Sequence, residues 1–282
     1  MKTSLRLLLA TAMLAVALLG SGNSAGAVSS STYYVSLGDS LAAGEQPIGS
    51  FKHGYANQLL KEVRHGIPGL RLVKLGCPGE TTASMISGVG SICTYPSGSQ
   101  LDEAVSFLHA HPGHISFVTI DIGANDWLGA CFDGTLIHLA CTEGILPGVA
   151  LNLRTILDEL QAAAPGVPIA GMSYYDPFLG FWVLDPVHGE AIARHDEAVE
   201  DVFNAGLVGA YEDEGVVVAD VAGAFDIANF TDLVDTKKFG VIPVNVANSC
   251  AWTWFCTRYV DVHPNKEGYA VITEAYVEVL GL

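Results

Sequence analysis

Five short runs of β-branched and aromatic residues, each followed by a helix-length segment, constrain this chain more than any other feature. They are Tyr33–Leu37, Leu70–Leu75, Ile115–Ile122, Val167–Met172 and Gly215–Val221, each bounded by turn residues. Short, nearly continuous apolar runs of this kind read as strands buried on both faces, the pattern of a parallel sheet. Apolar residues at three- and four-residue spacing mark helices over His53–Arg64, Leu101–His109, Pro147–Ala163, Gly189–Tyr211 and Asn265–Val279. Strands alternating with helices predict an α/β fold with a parallel, roughly five-stranded sheet covered on both faces. Such sheets bind ligands beyond the carboxyl ends of their strands, so chemistry is expected in the segments leaving those ends. Two stretches, Gly76–Gly98 and Gly223–Asp261, match no regular element and read as long functional loops.

The first residues belong to a different kind of segment. Lys2 and Arg6 precede an apolar stretch from Leu7 to Leu19, and small residues end at Ala25-Gly26-Ala27. This is the pattern of a secretory signal peptide cut after Ala27, with an apolar stretch too short to anchor the chain stably in a membrane. Residues 28–282 then remain, 255 of the 282, a length that fits one domain with one sizeable core. Cutting away Lys2 and Arg6, with no acid lost, takes the net charge from −17 to −19. A polyanion of this kind repels nucleic acid and anionic membrane surfaces, so a neutral small molecule is the expected partner. The mature chain is expected to be extracellular and monomeric. All six cysteines lie downstream of the cut, where an oxidising compartment preserves disulfides. Spacing favours Cys77 with Cys93, Cys131 with Cys141 and Cys250 with Cys256, and no C-x-x-C pair argues for zinc.

Four strand-end or loop segments carry residues suited to chemistry. The first strand turns through Gly38-Asp39 into Ser40-Leu41-Ala42-Ala43-Gly44, placing a serine where a strand meets a helix. Its hydroxyl can be exposed at the sheet edge while its backbone N–H faces a bound carbonyl oxygen, although by position alone helix capping is the better explanation of a serine there. The second strand leaves through Gly76-Cys77-Pro78-Gly79, and Gly79 either brings a backbone N–H close to a ligand or simply makes a turn. After the third strand comes Gly123-Ala124-Asn125-Asp126, where the Asn125 amide can donate to a developing oxyanion or serve a turn. Near the end, Asp261-Val262-His263-Pro264-Asn265 leads into the last helix with Asn265 as its expected cap, and Pro264 restricts a histidine placed to act as a base.

Together these segments resemble the SGNH hydrolase superfamily, the G-D-S-L lipases and esterases, from Ser36 to Tyr269 and in the family's order. The resemblance implies a flavodoxin-like three-layer α/β/α sandwich and a secreted serine esterase requiring no cofactor. Ser40 would be the nucleophile, His263 the general base, and Ser40, Gly79 and Asn125 the oxyanion hole. The products would come from carboxylic esters, of lipid or short-chain acyl type. A carbohydrate O-acetylesterase is the rival enzyme, and a secreted binding module without turnover the rival from another class.

One position departs from the family pattern. The family places an aspartate three residues before its histidine, where this chain has Val260, with Asp261 only two before. Either the Asp261 carboxylate reaches the second ring nitrogen, or a backbone carbonyl near Val260 accepts that N–H. The carboxylate is preferred, because it stabilises imidazolium more than a carbonyl does. The tract His109-Ala110-His111-Pro112-Gly113-His114 suggests a metal cluster only superficially, since Pro112 and Gly113 break the helix between its second and third histidines. Trp127, Phe178, Phe181, Trp182, Trp252, Trp254 and Phe255 flank the expected site, and either line an acyl pocket or form packing beneath the loops.

Overall fold

A computed structural model describes residues 32–282, so the expected signal peptide, residues 1–27, lies outside the described residues. Five parallel strands form the main sheet: β1 Thr32–Gly38, β2 Leu70–Lys74, β3 Ile115–Asp121, β4 Ile169–Met172 and β5 Val217–Ala219. They lie in the order β2-β1-β3-β4-β5. β1 and β3 are the central strands of the site, and their last five residues are all buried. Helices follow in chain order as α1 Ser40–Ala43, α2 Tyr55–Val63, α3 Thr82–Ser87, α4 Gln100–Ala110, α5 Ala124–Cys131, α6 Leu139–Ala163, α7 Phe181–Leu184, α8 Gly189–Asp213, α9 Val221–Phe225, α10 Val244–Trp252 and α11 Lys266–Leu280. On one face α4, α6 and α8 pack together; on the other α2 packs on α11. This is the three-layer α/β/α arrangement expected of the alternating pattern.

The chain runs from β1 outward to β2 on one side and returns to β3 on the other. The crevice between the carboxyl ends of β1 and β3 is therefore a topological switch point, where open α/β sheets take ligands. Gly38 makes the exit from β1 possible. Its φ of +136° is open to glycine, and a Cβ there would strike the backbone oxygen of Asp121.

The structure corrects three expectations. α6 begins at Leu139, not at Pro147, and carries that proline inside it. A helix-interior proline costs one backbone hydrogen bond, and here the preceding turns are held independently by the Cys131–Cys141 bridge and by Thr142, which accepts from the Trp127 indole at 2.8 Å. The stretch Gly76–Gly98 contains α3, started by a capping box between Thr81 and Ser84. The stretch Gly223–Asp261 contains an antiparallel hairpin, β6 Leu233–Thr236 with β7 Gly240–Pro243, followed by α10. Among the described residues, no helix is long and apolar enough to cross a membrane.

Candidate active site

The turn after β1 is built around two buried carboxyl groups. Asp39 caps α1, its Oδ1 accepting from the Leu41 N–H at 2.9 Å and its Oδ2 from the Tyr174 hydroxyl at 3.2 Å. Asp121, the last residue of β3, accepts from the Asp39 and Ala42 N–H groups at 3.2 Å each and from the Tyr55 hydroxyl. Burial pushes the Asp39 carboxyl above the usual range. Burial, with the neighbouring Asp39 charge, pushes Asp121 well above it. Because Asp39 is the cap, the Ser40 hydroxyl is released from that duty.

Asn125 stands in the first turn of α5, where its Nδ2 donates to the Glu80 carbonyl at 2.9 Å. An amide nitrogen carries two protons, so one remains for a ligand. The adjacent Asp126 takes the Thr82 N–H at 2.8 Å and its hydroxyl at 2.7 Å. These three bonds join α5 to the segment that carries Gly79. That segment is also tied to the β1 turn through Gln100. Its Oε1 accepts the Gly38 N–H at 2.7 Å, and its Nε2 donates to the Gly38 carbonyl at 3.0 Å and to the buried Glu80 carboxylate at 3.3 Å. Gly79 has a φ of +76°, yet among the described residues a Cβ there would meet nothing within 4 Å. Glycine is favoured at Gly79 by backbone conformation, with space left for a ligand beside it.

His263 lies in the loop before α11, which Asn265 caps through the Glu267 and Gly268 N–H groups. Its Nδ1 is 2.9 Å from Asp261 Oδ1, and the same oxygen accepts the His263 backbone N–H at 2.9 Å. The carboxylate therefore reaches the ring in spite of its displaced position. Val260 has a φ of +45°, a left-handed conformation costly for a β-branched residue, and it re-aims the chain so that Asp261 faces the ring. The loop is strapped from behind, with the Trp254 N–H donating to the His263 carbonyl at 3.0 Å and the Tyr175 hydroxyl to the Val262 carbonyl at 2.8 Å.

The second ring nitrogen, Nε2, lies 3.6 Å from Glu45 Oε2, and among the described residues no hydrogen bond joins it to the Ser40 hydroxyl. Nucleophile–base hydrogen bonds are often loose without substrate. Burial pulls the His263 pKa down, but the Asp261 hydrogen bond and the charges of Asp261, Glu45 and Asp39 outweigh it and leave it raised. Asp261 is the mirror case, with burial opposing and the bonds to His263 lowering its pKa overall.

Ser40, Gly79, Asn125 and His263 all line one pocket of about 160 Å³. Of the flanking aromatics, Trp127 and Phe178 contribute to its wall. Phe181, Trp182, Trp252, Trp254 and Phe255 instead pack among themselves and against Phe225, Phe230 and Tyr259. In the histidine tract, the His111 Nδ1 pairs with the Phe107 carbonyl at 2.8 Å and its ring stacks on Phe107. Sequence reasoning missed Glu45, Glu80, Gln100, Asp121 and Glu200, which touch the site or its supports from distant parts of the chain. The three cysteine pairs are those expected, Cys77–Cys93, Cys131–Cys141 and Cys250–Cys256.

Solved structures share the fold at low sequence identity. An extracellular lipase from Streptomyces rimosus superposes with a TM-score of 0.56 at 17% identity, covering 88% of this chain and 100% of the lipase. A phospholipase A1 from Streptomyces albidoflavus gives 0.52 at 16%, over 89% and 99% of the two chains. An acetylxylan esterase from Geobacillus stearothermophilus, crystallised as a catalytic mutant, gives 0.50 at 16%, over 89% and 94%. No curated protein matches the chain by sequence comparison. Residues 36–271 match the model of the GDSL-like lipase/acylhydrolase family, a span that begins on β1 before Ser40 and ends in α11 beyond His263. By that match, over most of its length, the chain belongs to the GDSL-like lipase/acylhydrolase family.

Proposed function

We propose that the protein is a secreted, monomeric carboxylic-ester hydrolase that works by two-step acyl transfer from Ser40. The observation that carries this reading is the convergence of Ser40, Gly79, Asn125 and an Asp261-paired His263 on one pocket at the sheet's switch point. His263 Nε2 takes the Ser40 proton as Oγ attacks the ester carbonyl, and Asp261 holds the ring's tautomer and the imidazolium that forms. The tetrahedral oxyanion is held by the backbone N–H groups of Ser40 and Gly79 and by the free Asn125 amide proton. His263 then protonates the leaving alcohol, and water, activated by the same ring, releases the acid.

The pocket favours short acyl groups, since about 160 Å³ is close to the volume of a protein cavity that holds a benzene ring. Carbohydrate O-acetylesters, of which only the acetyl group need enter the pocket, are the second reading, favoured by the polar groups that line the wall beside the aromatics. Secretion is supported by three disulfides, which persist outside the cytosol. The test is labelling with a fluorophosphonate followed by peptide mass spectrometry, together with assays on chromogenic esters of graded chain length and on acetylated sugars. Ser40 is the expected labelled residue, and Ser40→Ala is expected to remove label and turnover while the far-UV circular dichroism stays native. Label on another serine, or turnover by the variant, overturns the assignment.

A further inference from the structure

Helix α8 presents a polar stripe to the interior, Asp196, Glu200 and Asn204, spaced four residues apart and all buried. The two outer members have backbone to hold. Asp196 accepts the Ile137 N–H at 3.1 Å, while Asn204 accepts the Tyr174 N–H at 2.7 Å and donates to its carbonyl at 2.9 Å. Glu200, between them, is 1% exposed, its Oε1 has no partner among the described residues, and it lines the same pocket as Ser40. An unpartnered buried carboxyl costs stability, which makes it a group awaiting a ligand.

We infer that Glu200 is a specificity-determining residue of the pocket, whose carboxyl hydrogen-bonds a hydroxyl group carried by the ester substrate. This rests on the ester-hydrolase reading and specifies its substrate class as hydroxylated esters. An ammonium group is the other donor to weigh, and the surroundings decide against it. Burial, reinforced by the charges of Asp176, Asp196 and Glu197, pushes the Glu200 carboxyl well above its usual range, a shift that favours the neutral acid. An ammonium would require that acid to ionise beside two further buried acids, whose Oδ2 atoms also lack partners among the described residues. A hydroxyl needs no such change, because a neutral carboxyl and a hydroxyl each both donate and accept.

The test compares substrates that differ only by a hydroxyl in place of a methyl. Methyl 3-hydroxybutanoate is set against methyl 3-methylbutanoate for the acyl side, and 2-hydroxyethyl acetate against propyl acetate for the alcohol side; methyl 3-aminobutanoate supplies the ammonium arm. The wild-type protein is expected to prefer the hydroxyl member of one pair by at least about tenfold in kcat/KM, as a site built for a hydroxyl does. Glu200→Gln, which keeps a donor and an acceptor, is expected to retain that preference, and Glu200→Leu to abolish it while raising Tm. Equal turnover of both members in both pairs overturns the inference and leaves the ester reading standing. Preference for the amino ester, lost in E200Q, also overturns it. Failure to cleave any ester overturns the ester reading and this inference together.

Discussion

At the residue scale, the arrangement around His263 is two-sided, with Asp261 at Nδ1 and Glu45 facing Nε2. The two carboxylates do different work. In the proposed mechanism Asp261 fixes the tautomer that leaves Nε2 free to accept a proton, and Asp261→Asn is expected to lower kcat by up to about ten-thousandfold. A fall of less than about tenfold, read from steady-state kinetics, moves the orienting role elsewhere. Glu45 lies too far from Nε2 for a strong hydrogen bond, but its charge helps to raise the His263 pKa. A base works only when neutral, so a raised pKa puts the acid limb of kcat/KM above pH 6.5, the ordinary histidine value. Glu45→Gln removes one of the charges that favour imidazolium, and the limb is expected to move to lower pH. A pH–rate profile checks this, and an unmoved limb removes Glu45 from the account. The stability that the His263–Asp261 pair contributes through histidine runs the other way. It is present in full below pH 6.5 and is lost as pH rises through the raised value, so the working enzyme does without it.

At the scale of elements, the candidate oxyanion groups come from three separate segments, the turn after β1, the chain leaving β2 and α5, and Asp126 supplies two of the three bonds that hold the last two together. Asp126→Ala removes both bonds to Thr82 while leaving Ser40, Gly79, Asn125 and His263 in place. Misplacing a donor by about 1 Å costs on the order of a hundredfold in rate, so kcat is expected to fall by about that factor with KM little changed. A change confined to KM, measured on a short-chain ester, shows that Asp126 does not position the oxyanion donors. The elements themselves were legible in uneven measure. Strands β1 and β3 follow directly from their apolar runs, because burial on both faces leaves a pattern that a reader can see locally. The helical turns before Pro147 do not, since what holds them is a cysteine bridge and the Trp127–Thr142 bond, both contacts between segments. Hairpin β6–β7 was hidden for another reason: Leu233, Val234 and Val241 are exposed, so no burial pattern marks it. Glu200 is instructive, because in sequence it reads as one more charge on an acidic helix. The four-residue spacing of Asp196, Glu200 and Asn204 beside the apolar Val199, Phe203 and Leu207 was the available signal.

At the scale of the whole molecule, the three disulfides hold the segments on which the candidate site is built. Cys77–Cys93 closes the segment carrying Gly79 and Glu80, and Cys131–Cys141 fastens α5 to the first turns of α6. Cys250–Cys256 encloses Trp254, whose N–H holds the His263 carbonyl. In the chain-entropy model a loop of about fifteen residues is worth roughly 3 kcal/mol, and the shorter ones somewhat less, so all three together supply on the order of 8 kcal/mol. A whole domain has only about 5–15 kcal/mol. Complete reduction therefore threatens the fold itself, and a single bridge is the informative one to remove. Replacing Cys77 and Cys93 together by serine is expected to lower Tm by roughly 6–12 °C, the shift that about 3 kcal/mol produces in a chain of this size. The Glu80 carboxylate keeps its bonds from Ser84, Ser91 and Gln100 in that variant, so the sheet and its helices are expected to stay folded at 25 °C. What loosens is the backbone at Gly79, and with it one of the proposed oxyanion donors. Activity on a chromogenic ester is therefore expected to fall away during heating before the far-UV circular dichroism changes, with the gap wider than in the wild-type protein. If activity and circular dichroism are lost at the same temperature in both proteins, the bridge serves the stability of the whole molecule and has no separate hold on the site.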